Sequence, residues 1–248
     1  MIDLAAIGIP GGIILTGVLL VLLRDWRFTV PALLAQYLLV GLLVGGSVPA
    51  DTRLLGFDLS SSTLLQVVTG LTVAGLFATT SLRLERARGI VSDYEAELDD
   101  FALAALRRRQ RLAVRTAAEN TSRRAVVLDY LLPGTALLIS GIAAYALSAA
   151  YPVSVRGEGL VNFSFYWVIL CGVFVLVLAR DIIKLSEGLL VTLNGLSLLL
   201  AALATRGGLL VEGLTAAITI GLAAALSYLW VAMYERRRSL SLEVLRDE

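Results

Sequence analysis

The chain alternates between long apolar runs and shorter charged segments. An apolar run of about 20 residues without charge is long enough to cross a bilayer as a helix. Seven such runs occur, at residues 5–23, 30–48, 62–81, 129–150, 163–179, 187–205 and 209–233. Their interiors contain no Lys, Arg, Asp or Glu. The pattern predicts an all-α membrane protein with seven transmembrane helices.

An internal repeat divides the predicted helices into two units. The segment LRDWRFTVPALLAQYLLVGLLVGG at residues 23–46 resembles ARDIIKLSEGLLVTLNGLSLLLAA at residues 179–202, and both open with an Arg-Asp step. We expect two three-helix repeats, at residues 1–82 and 156–248, joined by a linking transmembrane helix at residues 127–155. The linking helix restores the direction of the chain, so the two repeats are predicted to be parallel.

A charged segment at residues 83–126 separates the third and fourth apolar runs. Its apolar residues follow the 3, 4, 3, 4 spacing of an amphipathic helix, at Val91, Tyr94, Leu98, Phe101 and Ala105. Acidic residues come first along the segment, and arginines follow. We expect a cytoplasmic amphipathic helical insert that lies on the anionic inner leaflet, docks on a cytoplasmic partner or folds back as a hairpin.

The distribution of positive charge predicts the orientation in the membrane. With seven spans, one side of the membrane carries 18 of the Lys and Arg residues and the other side carries 3. Cytoplasmic loops are enriched in these residues. We therefore expect a multi-pass protein of the prokaryotic cytoplasmic membrane, with the N-terminus outside and the C-terminus in the cytoplasm. The first apolar run lacks a basic segment before it, so it is expected to be a retained helix.

The composition narrows the possible chemistry. The chain is 58% hydrophobic, with no histidine and one cysteine, Cys171. This residue set excludes His-ligated haem, cysteine-held iron–sulfur clusters, the usual zinc sites and a disulfide within the chain. No cofactor, metal site or catalytic motif is predicted. The net charge of +1 gives no argument for nucleic-acid binding.

The sixth predicted helix carries a stripe of polar residues. Positions seven apart share a helix face, so Lys184, Glu187 and Asn194 are expected to lie together, with Asp181 one turn earlier. Ionisable residues inside membrane helices usually serve function. The stripe is either a proton or water route from the cytoplasm, or a Lys184–Glu187 pair that reaches the interface with Asn194 as packing glue.

Three further polar residues are candidates for a proton path. Gln36 and Gln66 lie within the second and third apolar runs, where each must find a partner on a neighbouring helix or subunit. Both are either interhelical glue or part of a proton or water path. Glu212 is expected to open the seventh helix, where a carboxylate favours the positive end of the helix dipole.

The sixth and seventh helices resemble those of a known family. RDIIKLSEGLLVTLNGLSLLLA is similar to the second helix of the small K subunit of bacterial respiratory complex I (chain 4L in mitochondria), and IGLAAALSYLWVAMYERRRSLSLEVLRDE to its third helix and basic tail. The residues that match the second helix are Arg180, Gly188, Leu189 and Asn194. The seven-helix plan most resembles hydrogenase-4 component E, in which Asn194-Gly195 and Val211-Glu212 match short motifs.

The resemblance implies a function and also shows departures. It implies a non-redox membrane-arm subunit of a complex-I-like or group 4 hydrogenase-like complex that packs beside antiporter-like subunits. Leu190 and Ala217 stand where the K subunit has membrane glutamates, and Leu193 stands where component E has an acid. Glu187 lies one turn away and is the candidate substitute.

Two other function classes remain open at this level. One is a stand-alone membrane transporter, and the other is a membrane scaffold that recruits a cytoplasmic partner through the insert. If the chain belongs to an oxidoreductase complex, it is expected to be a non-catalytic subunit of it.

Overall fold

Seven helices make up most of the structure, which is a computed structural model. It describes residues 4–23, 25–45, 52–54, 57–96, 123–153, 159–203 and 208–237. The helices are α1 (Leu4–Leu22), α2 (Trp26–Gly45), α3 (Ser61–Ala96), α4 (Arg123–Ala150), α5 (Gly159–Val177), α6 (Ile182–Leu203) and α7 (Gly208–Arg237). Two short strands that the sequence did not predict, β1 (Thr52–Leu54) and β2 (Phe57–Leu59), pair antiparallel between α2 and α3.

Six of the seven helices are long and apolar enough to cross a membrane. These are α2 to α7, whereas the apolar stretch Gly8–Leu22 of α1 is shorter than the other spans. The structure is therefore that of a multi-pass helical membrane protein. The seventh span and the orientation of the termini stay predictions.

Polar side chains cap the starts of three helices. Asp25 precedes α2 and accepts a 3.0 Å hydrogen bond from the Arg27 amide, while Asp181 precedes α6 and accepts a 2.7 Å bond from the Lys184 amide. At the start of α3, the Ser60 hydroxyl oxygen accepts a 3.2 Å hydrogen bond from the Thr63 amide. Each cap satisfies an amide that has no partner within its helix.

All the helices except α4 form a ring, and α2 and α6 also contact each other across its middle. Around the ring, α1 packs on α2, α2 on α3, α3 on α7, α7 on α6, α6 on α5 and α5 on α1. Contact between α2 and α6 closes the centre, and α4 packs outside on α5 and α1. The core draws buried apolar residues from every helix of the ring, and those of α2 and α6 include the fully buried Leu33, Val40, Leu190 and Leu198.

Helices α5 and α6 pack with their backbones close together. A Cβ atom added at Gly188 would lie 2.7 Å from the Leu176 amide nitrogen, and one at Gly195 would lie 2.9 Å from that of Ile169. The close neighbour of these two glycines is therefore α5. Small residues at such positions let membrane helices gain van der Waals contact.

The predicted insert begins as part of α3. That helix runs through 36 residues to Ala96, so it crosses the predicted boundary at residues 82 and 83 without a break. Val91 and Tyr94 lie on this extension, whereas Leu98, Phe101 and Ala105 fall outside the described residues. Helix α4 begins at Arg123, within the segment predicted to be insert and before the predicted apolar run.

Candidate functional site: buried polar groups between α1, α2, α3 and α6

A buried ion pair lies near the start of α6. The Lys184 Nζ is 2.9 Å from the Glu187 Oε2, and the whole Glu187 residue is inaccessible to solvent. The Lys184 ammonium also donates a 2.8 Å hydrogen bond to the Leu20 carbonyl of α1. Lys184 is 8% exposed. The predicted pairing is present, but the lysine turns into the protein instead of extending along the surface to the interface.

Helix α2 supplies the second contact to the Glu187 carboxylate. The Thr29 hydroxyl donates a hydrogen bond to Glu187 Oε1, and Thr29 is fully buried. A buried charge is stable only when it is paired and hydrogen-bonded. The Lys184 ammonium pairs with Oε2, and the Thr29 hydroxyl supplies the hydrogen bond at Oε1. Sequence analysis missed Thr29, because a threonine in a membrane helix commonly bonds its own backbone and gives no signal of a distant partner.

Gln36 lies on the same face of α2 as Thr29, two turns further on. Its amide oxygen contacts the Thr16 hydroxyl of α1, and the side chain is fully buried. Within the described part of the chain, its amide nitrogen has no hydrogen-bond partner. The predicted partner on a neighbouring helix therefore exists for the oxygen of Gln36.

A second polar cluster links α3 to α6. Gln66 Nε2 donates to Asn194 Oδ1 at 3.0 Å and to Ser197 Oγ at 2.9 Å. The Ser197 hydroxyl in turn donates to the Asn194 carbonyl at 2.8 Å. Asn194 is 1% exposed, and its side-chain nitrogen has no partner among the described residues. Gln66 and Asn194, which were separate candidates in the sequence analysis, thus belong to one cluster.

Apolar residues occupy the three positions that were aligned with acids in the sequence resemblance. Leu190 is fully buried, and its carbonyl accepts a 3.2 Å hydrogen bond from the Tyr37 hydroxyl of α2. Leu193 is half-buried and Ala217 is exposed. Glu187 is therefore the fully buried carboxylate of α6, one turn before Leu190 and closer to the start of the helix.

A cavity of about 120 Å³ opens beside the start of α6. Its polar lining comes from Arg180, Asp181 and Lys184, and Val21 and Pro133 are among its apolar lining residues. Lys184 therefore faces both this cavity and the buried Glu187. Asp181 combines a place in the lining with its capping bond to the Lys184 amide. We call this side of the bundle the basic end.

A smaller cavity lies at the opposite end, which we call the far end. Its volume is about 20 Å³, and Gln66, Ser197, Glu212 and Thr215 line it together with Ser62 and two apolar residues. Helix α7 begins at Gly208, so Glu212 lies beyond the first turn. The helix dipole acts mainly within the first turn, so the position of Glu212 does not favour the predicted interaction with the dipole.

The six candidate spans and the buried polar groups define a multi-pass helical membrane protein with a polar interior. In the described ranges, no group of three His, Cys, Asp or Glu residues is placed to hold a metal ion. No protein-family model, curated protein or solved structure matches this chain.

Proposed function

We propose that the chain is a non-redox membrane-arm subunit of a proton- or ion-translocating redox complex of the complex-I-like or group 4 hydrogenase-like kind. The observation that carries the proposal is the buried Lys184–Glu187 pair, held by α1 and α2 inside a membrane bundle. Ionisable residues are costly in a membrane interior and mark proton relays or ion pathways. The family resemblance of α6 and α7 adds the redox complex as the setting.

The two cavities support a proton role for the buried groups. The cavity at the basic end gives water access to Lys184, and the far-end cavity reaches Gln66 and Glu212. Between them lie the clusters at Glu187–Thr29 and Gln66–Asn194. Glu187 and Asn194 are seven positions apart, which is about 10 Å along α6. A proton that crosses this step needs bridging water or a movement of α2 against α6.

A repeated architecture is part of the proposal. The two copies of the sequence repeat, which start at residues 23 and 179, are offset by 156 positions. The ends of α1 and α5 are 155 positions apart, and the starts of α2 and α6 are 156 positions apart. Asp25 and Asp181 each cap the start of the corresponding helix, Asp25 at the amide two residues on and Asp181 at the amide three residues on. These correspondences support two parallel units, with α4 as the linking helix.

Neighbouring subunits would have apolar surface on which to pack. Helix α4 is the least buried of the candidate spans, since only 17% of its apolar stretch lies inside the protein. Its large exposed apolar side chains include Leu138, Ile139, Ile142 and Tyr145. Lipid or an antiporter-like subunit would cover this face in the membrane.

The first test is co-purification of the tagged full chain in mild detergent, followed by mass spectrometry. Stoichiometric antiporter-like and redox subunits are the expected result. A chain that purifies alone contradicts the assignment and favours the stand-alone transporter, to which two cavities at opposite ends also fit. A chain that brings down a soluble cytoplasmic protein favours the scaffold, to which the extension of α3 beyond the bilayer fits.

The second test is proton translocation by the assembled complex with Glu187→Gln. We expect coupled translocation to fall while assembly is retained. Glu85→Gln is the matched control, because Glu85 is a carboxylate in a partly exposed ion pair with Arg27. Unchanged translocation in a normally assembled Glu187→Gln complex would exclude Glu187 from the proton route.

A further inference from the structure

The far-end cavity has the size and the lining of a site for one small cation. A volume of about 20 Å³ is enough for a single particle of the size of water. Glu212 supplies one negative charge, and none of the residues that the structure describes in the lining is a lysine or an arginine. The described lining therefore carries one carboxylate among neutral polar groups, an arrangement that favours a bound cation.

The other polar side chains of the lining supply neutral oxygen atoms. Gln66 uses its side-chain nitrogen for Asn194 and Ser197, which leaves its oxygen as an acceptor. The Thr215 hydroxyl donates to the carbonyl of Glu212 at 2.8 Å, so its oxygen lone pairs remain for another ligand. Ser62 adds a further hydroxyl. Two helices, α3 and α7, contribute to this set, and Ser197 of α6 completes the polar lining.

We propose that this cavity binds one monovalent alkali cation, Na⁺ or K⁺, through Glu212, Thr215 and Gln66. Hard cations prefer carboxylate, hydroxyl and carbonyl oxygens. A single carboxylate balances a single charge, whereas a divalent ion would leave one positive charge uncompensated in a membrane protein. The inference goes beyond the proposed function, because the site is complete within this chain and does not need a redox partner.

Occupation of the site would act on the interface of α3 and α6. Gln66 both lines the cavity and holds Asn194, which lies on the same face of α6 as Glu187. A cation that fixes the Gln66 oxygen therefore also fixes the orientation of its nitrogen toward Asn194. Cation binding should accordingly stabilise the folded bundle.

The experiment is thermal unfolding of the purified full chain in detergent, with NaCl, KCl or choline chloride at constant ionic strength. We expect Tm to rise saturably with Na⁺ or K⁺ and to stay constant in choline chloride. Preference for either alkali ion supports the site and identifies its ion. An equal response to choline shows a general salt effect and overturns the proposal, as does no response to any salt.

Variants locate the effect. Glu212→Gln and Thr215→Val should each abolish the alkali-dependent rise in Tm. Glu235→Gln, which changes an exposed carboxylate on the same helix, should keep it. If Glu212→Gln does not fold, the matter is decided by Thr215→Val together with equilibrium binding, to the unmodified chain, of a radioactive isotope of the alkali ion that raises Tm. A retained alkali effect in Thr215→Val, or a binding stoichiometry near zero, would refute the site.

The two proposals fail in different ways. A chain that purifies without redox subunits but still shows the alkali effect loses the membrane-arm assignment and keeps the cation site. A chain that purifies within the complex but shows no alkali effect keeps the assignment and loses the site.

Discussion

The Lys184 ammonium lies 2.9 Å from the Glu187 carboxylate in a place where neither residue is more than 8% exposed. The ammonium also bonds the backbone of α1, and the carboxylate bonds Thr29 on α2. One ion pair thus joins three helices. Its energetic role differs from that of an ion pair on a protein surface, because the removal of either partner leaves a buried charge.

Removal of the carboxylate alone should therefore destabilise the fold strongly. We expect Glu187→Leu to lower the free energy of unfolding by about 3–5 kcal/mol, since it leaves the Lys184 ammonium uncompensated. The double variant Lys184→Met/Glu187→Leu should recover much of that loss, because no buried charge remains. Chemical or thermal unfolding in detergent measures both. A double variant less stable than Glu187→Leu would contradict this account of the pair.

The Arg27–Glu85 pair offers a contrast in the same molecule. Its atoms are 3.0 Å apart, but the two side chains are 64% and 36% exposed. Exposed pairs typically contribute about 0–1 kcal/mol. Arg27→Ala should change stability by less than about 1 kcal/mol, and added salt should reduce the difference further. An effect as large as that of Glu187→Leu would show that this pair is shielded from solvent in the membrane.

The hydrogen bond between Gln66 and Asn194 should be measurable as a coupling energy. Gln66→Leu, Asn194→Leu and the double variant form a cycle around the 3.0 Å bond. Side-chain hydrogen bonds inside membrane proteins contribute about 0.6 kcal/mol on average and up to about 1.7 kcal/mol. We expect a value in that range, because Ser197 retains a second bond to Gln66 in the Asn194 variant. A coupling energy near zero would separate the two residues energetically.

Glycine substitutions should distinguish close packing from open space. Gly188→Ala places a Cβ atom 2.7 Å from the Leu176 nitrogen, whereas Gly221→Ala meets no heavy atom within 4 Å. We expect the first change to cost about 1–3 kcal/mol because α5 and α6 must separate. The second should be neutral or stabilise α7 by up to about 1 kcal/mol, since alanine is the better helix former. Equal stabilities would be inconsistent with backbone contact between α5 and α6.

Residue spacing within one helix carried most of the successful sequence predictions about the site. Lys184 and Glu187 are one turn apart, so their pairing follows from helix geometry alone. Thr16, Thr29 and Ser197 could not be found in this way, because their contacts depend on which helices are neighbours. Membrane helices that are apolar all round give little information about their packing faces.

Helix α3 runs without a break from the predicted membrane repeat into the predicted insert. The composition changes at Arg83 from apolar to charged, and the predicted insert begins there. The backbone continues as helix to Ala96 because the charged segment contains no proline and is rich in residues that favour helices. A change from apolar to charged residues along the chain therefore does not by itself end a helix.

The length of α3 has a mechanical consequence. A helix of 36 residues is about 54 Å long, whereas the hydrocarbon core is about 30 Å thick. Part of α3 must project beyond the bilayer as a rod, and Gln66 lies near its opposite tip. Because the rod is one continuous helix, a displacement at its Ala96 end would be transmitted along it toward Gln66. About 45 Å of helix would thus connect an event at the membrane surface to the Gln66–Asn194 contact.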